Sequence, residues 1–183
     1  MADTEDQYEA VIQLCKDIFI KKTKDYGTSW RVLRTISIVD QIYIKAQRIR
    51  TIQEKQQQRV EDDIPSEFIG IINYSIVGLI QLQLNDDDPE EIEVEQVNDL
   101  YTKYFSQAKT LMQNKNHDYG EAWRNMSQES FTDLILMKLQ RMRQMISNKG
   151  KTLISEGLDA NYFDMINYAV FALILIDESK ELP

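Results

Sequence analysis

Two polar arrangements in the second half of this sequence have the spacing of a phosphate or metal site. On a segment read as helical, Asp133, Lys138 and Arg141 lie at about 0°, 140° and 80° around the axis, at 100° per residue. They share one broad sector, with the guanidinium in its middle. Further on, Asp164 and Asn167 are the strongly polar residues of the apolar stretch 162–176. A spacing of three puts them on one helix face. A carboxylate in such surroundings is costly unless it meets a cation, a metal or several donors. Asp133 and Asp164 are therefore the candidate ligands for a hard cation such as Mg²⁺, and the candidate catalytic pair. Lys138 and Arg141 would neutralise phosphate, and Asn167 would orient the ligand or a ligating water. The plainer reading is a buried aspartate paired with a neighbouring cation for packing, and a charged face open to solvent.

The constellation occurs twice. Asp40, Lys45 and Arg48 precede Asp133, Lys138 and Arg141 by a constant 93 residues (133 − 40). The run Lys24-Asp25-Tyr26-Gly27-Thr28-Ser29-Trp30-Arg31 returns at the same shift as His117-Asp118-Tyr119-Gly120-Glu121-Ala122-Trp123-Arg124. With one residue inserted, Asn73-Tyr74 falls on Asn167-Tyr168. A fixed shift across so many polar and aromatic positions marks an internal duplication. The expected organisation is one copy over residues 1–87 and another over 88–183, packed as one intimate unit. Asp164 falls on Gly70, so the first copy lacks that carboxylate and reads as the degenerate one; Glu67, one turn earlier, is its nearest substitute. Asp118, Tyr119, Trp123 and Arg124 read in two ways. Structurally, the glycine turns the chain, the aromatics lock it to the core and the aspartate caps. Functionally, an aromatic ring would stack on a base while the arginine reaches phosphate.

The elements that must position these residues are helices. Apolar residues at helical spacing mark a first helix from Tyr8 to about Lys22, ended by Gly27 in a tight or left-handed turn. A second helix is expected from Ile36 to Gln57 and a third from Pro65 to Leu84, the third apolar almost all round and hence central. Residues 59–65 read as a polar loop. Asp88 as N-cap, Pro89 and Glu91 mark the start of a fourth helix reaching Lys115. A fifth runs from Ser127 or Ser130 to Ser147, stopped by Asn148-Lys149-Gly150. A connection carrying Glu156, a further carboxylate, leads to Asp159 as N-cap of the sixth. The fold class is all-α: a tandem three-helix unit in a pseudo-two-fold bundle.

Bulk properties narrow the function. The 183 residues carry a formal charge of −9, which argues against duplex nucleic acid as a direct partner and leaves a small nucleotide open. One cysteine, Cys15, permits no internal disulfide and suits a reducing, cytoplasmic setting. One cysteine and one histidine do not make an ordinary zinc site. The acidic N-terminus shows no signal-peptide pattern, and the apolar run near the C-terminus reads as too short and interrupted for a bilayer. No membrane partner is expected, and a homodimer is compatible with this composition.

Asp118-Tyr119-Gly120 with Trp123, then Asp133-Leu134 with Lys138 and Arg141, then Asp164 with Asn167-Tyr168-Ala169 form a combined pattern. It resembles the nucleotide modification-associated domain family, helical proteins of phages and bacteria. The resemblance covers most of the second copy and, more weakly, the first. It implies a helical protein tied to nucleotide or base modification. A more distant likeness is to the all-α MazG-like nucleoside triphosphate pyrophosphohydrolases, which bind Mg²⁺ through E-x-x-E and E-x-x-D pairs on adjacent helices. This chain offers D-x-x-N at Asp164 and Asn167, but Asp133 is followed three residues later by Leu136. Three functions are consistent with these residues. They are a Mg²⁺-dependent nucleotide pyrophosphohydrolase, a nucleotide-binding accessory module without turnover, and a structural helical interaction protein.

Overall fold

Apolar residues at three- and four-residue intervals close into long helices. The computed structural model describes residues 3–57, 59, 63–149 and 157–181; Gly150 and Glu156 lie outside them. Helix α1 spans Thr4–Tyr26, α2 Thr35–Lys55, α3 Ile64–Gln83, α4 Val94–Tyr119, α5 Gln128–Ser147 and α6 Leu158–Glu181. Short 3₁₀ turns, Ser29–Val32 and Ala122–Asn125, follow α1 and α4. There is no strand among the described residues. Asp3, Asp63 and Ser127 cap α1, α3 and α5, each accepting from a backbone N–H of the first turn. Gly27 (φ +65°) and Gly120 (φ +56°) end α1 and α4 in backbone that a side chain resists.

Three helix starts differ from the sequence reading. Helix α1 begins at Thr4, four residues before Tyr8, behind the Asp3 cap. Helix α4 begins at Val94, behind Glu93, and not at Pro89. The reason lies in what the preceding segment does: the Asp88 and Pro89 carbonyls accept from Arg31, and Thr28 donates to the Glu90 carbonyl and accepts from Ile92 N–H. Residues 85–92 are thereby committed to holding the first glycine turn. Asp159 likewise sits inside the first turn of α6, after Leu158.

The helices stack in three layers of two, each layer pairing equivalent members: α2 with α5, α3 with α6, and α1 with α4. The α3/α6 layer lies between the other two, which explains why these helices are apolar nearly all round. Both also reach the length and apolarity that would cross a membrane, contrary to the reading of the C-terminal run as too short. The helix extends on both sides of that run. In this fold those apolar sides are spent on the core: Phe68, Ile72 and Ile76 of α3 and Met165, Ile166 and Ala169 of α6 are fully buried.

The two copies are bound by reciprocal contacts. Asp40 of α2 pairs with Arg143 of α5 at 2.9 Å, and Asp133 of α5 pairs with Arg50 of α2 at 3.8 Å. Tyr8 of α1 donates to the Asn167 Oδ1 of α6 at 2.6 Å, while Tyr101 of α4 donates to the Asn73 Oδ1 of α3 at 2.7 Å. Each amide then donates to a carbonyl of its own copy, Asn167 to Ala108 and Asn73 to Cys15. All of these partners interchange under the duplication shift, which is the signature of a pseudo-two-fold axis through the three layers.

Candidate functional site

In the second copy the buried carboxylate of α6 is bridged by lysines from two other helices. Asp164 Oδ1 accepts from Lys115 Nζ of α4 at 2.8 Å, and Oδ2 from Lys138 Nζ of α5 at 2.7 Å. Lys138 reaches it because α5 packs on α6, and Lys115 because it lies in the last two turns of α4. The Asp164 side chain is 10% exposed. Burial alone would raise its pKa, but the two ammoniums more than offset that and hold the carboxyl below the usual aspartate range. Each oxygen has its own ammonium, so the cluster is an ion triad in which the two lysines already hold an anion.

The first copy puts the equivalent residues around open space. A cavity of about 630 Å³ is lined by Lys22, Lys45, Glu67, Asn73 and Gly70, with the rings of Tyr26, Trp30 and Tyr74. Lys22 and Lys45 correspond to Lys115 and Lys138 under the 93-residue shift (115 − 22, 138 − 45). Gly70 stands where the second copy has Asp164, so no carboxylate projects from that point. Glu67 is held by Arg48 at 2.8 Å and touches Lys45 at 3.6 Å. Lys45 also lies 5.9 Å from the centroid of the Tyr74 ring, a loose cation–π approach. The volume falls within the range of small-molecule sites, and cations, a carboxylate and aromatic faces converge on it.

The family model of nucleotide modification associated domain 1 matches residues 22–82 and again residues 115–176. The chain belongs to this family. No curated protein and no solved structure matches it. Each matched segment of the nucleotide modification associated domain opens on a lysine facing one of the two clusters, Lys22 or Lys115, and runs through the glycine turn and the next two helices. The family unit is therefore the last turn of one helix, the turn and a helical hairpin. All the cavity residues except Ile18 and Phe19 fall within the first match.

Within these family segments the other residues singled out from the sequence have different places. Asp133 and Asp164 do not share a site: α5 presents Lys138 to α6 but Asp133 to Arg50 of α2, with the Asp133 side chain 61% exposed. Among the described residues no three Asp, Glu, His or Cys side chains gather as a metal site. Neither expected Mg²⁺ ligand has a free, inward-facing oxygen, so this pair does not fit the ion. Asp40 mirrors Asp133 in its pair with Arg143. The Asn167 and Asn73 amides each accept from a tyrosine of the other copy and donate to a carbonyl of their own, so both brace the core, and Asn73 also reaches the cavity wall.

The aromatic and basic groups of the second glycine turn are structural. Trp123 is buried between the Phe171 ring, stacked at 4.2 Å and 6°, and the Arg124 guanidinium at 4.5 Å. Neither ring face is free for a base. Arg124 donates to Glu121, Glu178, Thr4 and Gln7, and so ties the turn to the start of α1 and the end of α6. Arg31 does the same for the first turn, holding Gln81 and the carbonyls of Asn85, Asp88 and Pro89. Asp118 and Tyr119 are exposed at the end of α4, and Arg141 is exposed on α5. The lysines at positions 22 and 115 were legible only as members of the duplication; nothing in their immediate sequence distinguishes them from surface charge.

Proposed function

We propose that the chain is a nucleotide-binding module whose ligand occupies the first copy's cavity. The observation that carries this is the convergence of Lys22 and Lys45 with three aromatic rings on one open volume, within a segment of a family associated with nucleotide modification. An ammonium is a strong donor to phosphate, and a tyrosine or tryptophan face stacks on any base. Glu67, fixed by Arg48, supplies an acceptor for a sugar hydroxyl or an exocyclic amine. Turnover is the less favoured reading, because Asp164 is held by two lysines, Asp133 lies against Arg50 of α2, and among the described residues no three carboxylates gather around one point for Mg²⁺. Any Mg²⁺ at this site would arrive bound to the phosphates of its ligand.

A thermal-shift screen of nucleoside mono-, di- and triphosphates, with and without Mg²⁺ and with pyrophosphate release read in the same wells, tests this. A ligand at about a hundred times its dissociation constant adds about 2.7 kcal/mol, a melting shift of roughly 5–10 °C for a chain of this size. A shift without release is the expected result. Mg²⁺-dependent release would make the protein a pyrophosphohydrolase, and no shift with any nucleotide would refute nucleotide binding.

A further inference from the structure

The duplication lets one copy report what the other lacks. In the second copy a carboxylate sits between two lysines from different helices, at 2.8 and 2.7 Å. In the first copy the two matching lysines, Lys22 and Lys45, line a cavity, and the residue matching the carboxylate is Gly70. Position 70 has no side chain of its own, and a Cβ built there would meet the Lys45 Cδ at 2.8 Å. The stem of Lys45 thus leans into space that a side chain takes in the second copy. Glu67 does not replace Asp164: it is drawn to Arg48, and Lys45 is 0.8 Å further from it than Arg48 is (3.6 − 2.8).

We propose that the first copy binds the phosphate group of a nucleoside phosphate between Lys22 and Lys45, where the second copy has placed its own Asp164 carboxylate. This rests on the nucleotide reading above and adds to it the recognised group and the two side chains that hold it. Both lysines line the same cavity, and a phosphate monoester, with three terminal oxygens, can accept from two ammoniums at once; Lys45 would exchange its long 3.6 Å contact with Glu67 for the phosphate. The second copy is closed to anions by the same logic, since a tethered carboxylate outcompetes a free one through its high effective concentration. The chain then holds one working phosphate site and one that is permanently self-occupied.

The test uses the full chain, natural and as Gly70→Asp, Gly70→Ala and Asp164→Gly. Each is titrated calorimetrically with the common nucleoside monophosphates, their nucleosides and inorganic phosphate, and melted in the same buffers. Position 70 has ordinary helical backbone, and the atoms nearest an added Cβ are the flexible end of Lys45, so Gly70→Asp is expected to fold. The natural chain should bind a monophosphate at least about tenfold more tightly than its nucleoside. Gly70→Asp should lose at least about tenfold in that affinity, whereas Gly70→Ala, which adds bulk without charge, should lose far less. Asp164→Gly should gain melting temperature with inorganic phosphate beyond any gain by the natural chain. Equal affinity for nucleoside and monophosphate, or undiminished binding by Gly70→Asp, overturns the phosphate subsite and leaves nucleotide binding standing. Phosphate rescue of Asp164→Gly, in a chain that binds no nucleotide in its natural form, refutes the nucleotide reading and with it the ligand named here.

Discussion

Replacing Asp164 by Asn keeps the shape of the side chain and removes its charge from between two lysines. Breaking a buried ion pair by removing one partner costs about 3–5 kcal/mol when the remaining charge stays buried. Here the two lysines differ: the Lys138 side chain is 12% exposed, but that of Lys115 is 49% exposed and can turn to water. The expected loss is therefore smaller, about 2–3 kcal/mol, or roughly 5–10 °C in melting temperature for a chain of this length. The pH dependence follows from the direction of the shift. The folded carboxyl titrates below the ordinary aspartate value, so its contribution is complete above about pH 4 and disappears as pH falls through the folded pKa. Urea titrations of the natural chain and Asp164→Asn at pH 7 and at pH 3 measure this directly. The gap between the two should be full at pH 7 and narrower at pH 3. Asp133→Asn, at an exposed pair, should melt within about 2 °C of the natural chain. An Asp164→Asn variant as stable as Asp133→Asn, or a gap that does not narrow in acid, would refute the ion-triad account.

Other expectations follow from single contacts. Asn167→Ala leaves the Tyr8 hydroxyl buried without its acceptor and should cost about 1–3 kcal/mol in urea denaturation, most of it absent when Tyr8→Phe is already in place. Gly78→Ala pushes a methyl to 2.3 Å from the Tyr162 ring and should destabilise by about 1–3 kcal/mol or more. Gly70→Ala, against a movable lysine, should be neutral or stabilising by up to about 1 kcal/mol through helix propensity, so the two glycines should separate cleanly in the same assay. Burial pushes the Cys15 thiol up to about 12, so it is a poor nucleophile in the folded chain. Labelling by an aromatic disulfide should track global unfolding in urea; rapid labelling of the native protein would contradict this burial.

The sequence displays some of this architecture openly and conceals the rest for physical reasons. A repeat at a fixed shift, helical periodicity and glycines after two long helices need no tertiary information, and each appears in the structure. The association of Lys138 with Asp164 was also legible, as one of two readings of a carboxylate on an apolar helix. What the helical wheel does not resolve is which neighbour each part of a broad sector faces. Asp133 and Lys138 are 140° apart, wide enough for α5 to address α2 with one and α6 with the other. Asn167 looked available because its donor, Tyr8, lies in the other copy, 159 residues away. The first copy looked degenerate because a missing carboxylate reads as a loss in sequence; in three dimensions the same absence contributes to a cavity.

The crossed tyrosine–asparagine bonds bear on how this chain comes into being. Neither copy carries the complete set of partners for its own core amide. During synthesis, Asn73 emerges before its donor Tyr101, 28 residues further on, and Tyr8 waits for Asn167 near the end of the chain. The amide and hydroxyl stay hydrated until that happens, because burying them unpaired is unfavourable. Both bonds therefore close only once residues of the second copy have been made. A chain that stops before α6 leaves uncovered the apolar face of α3 that α6 packs on, and such a face is a target for chaperones.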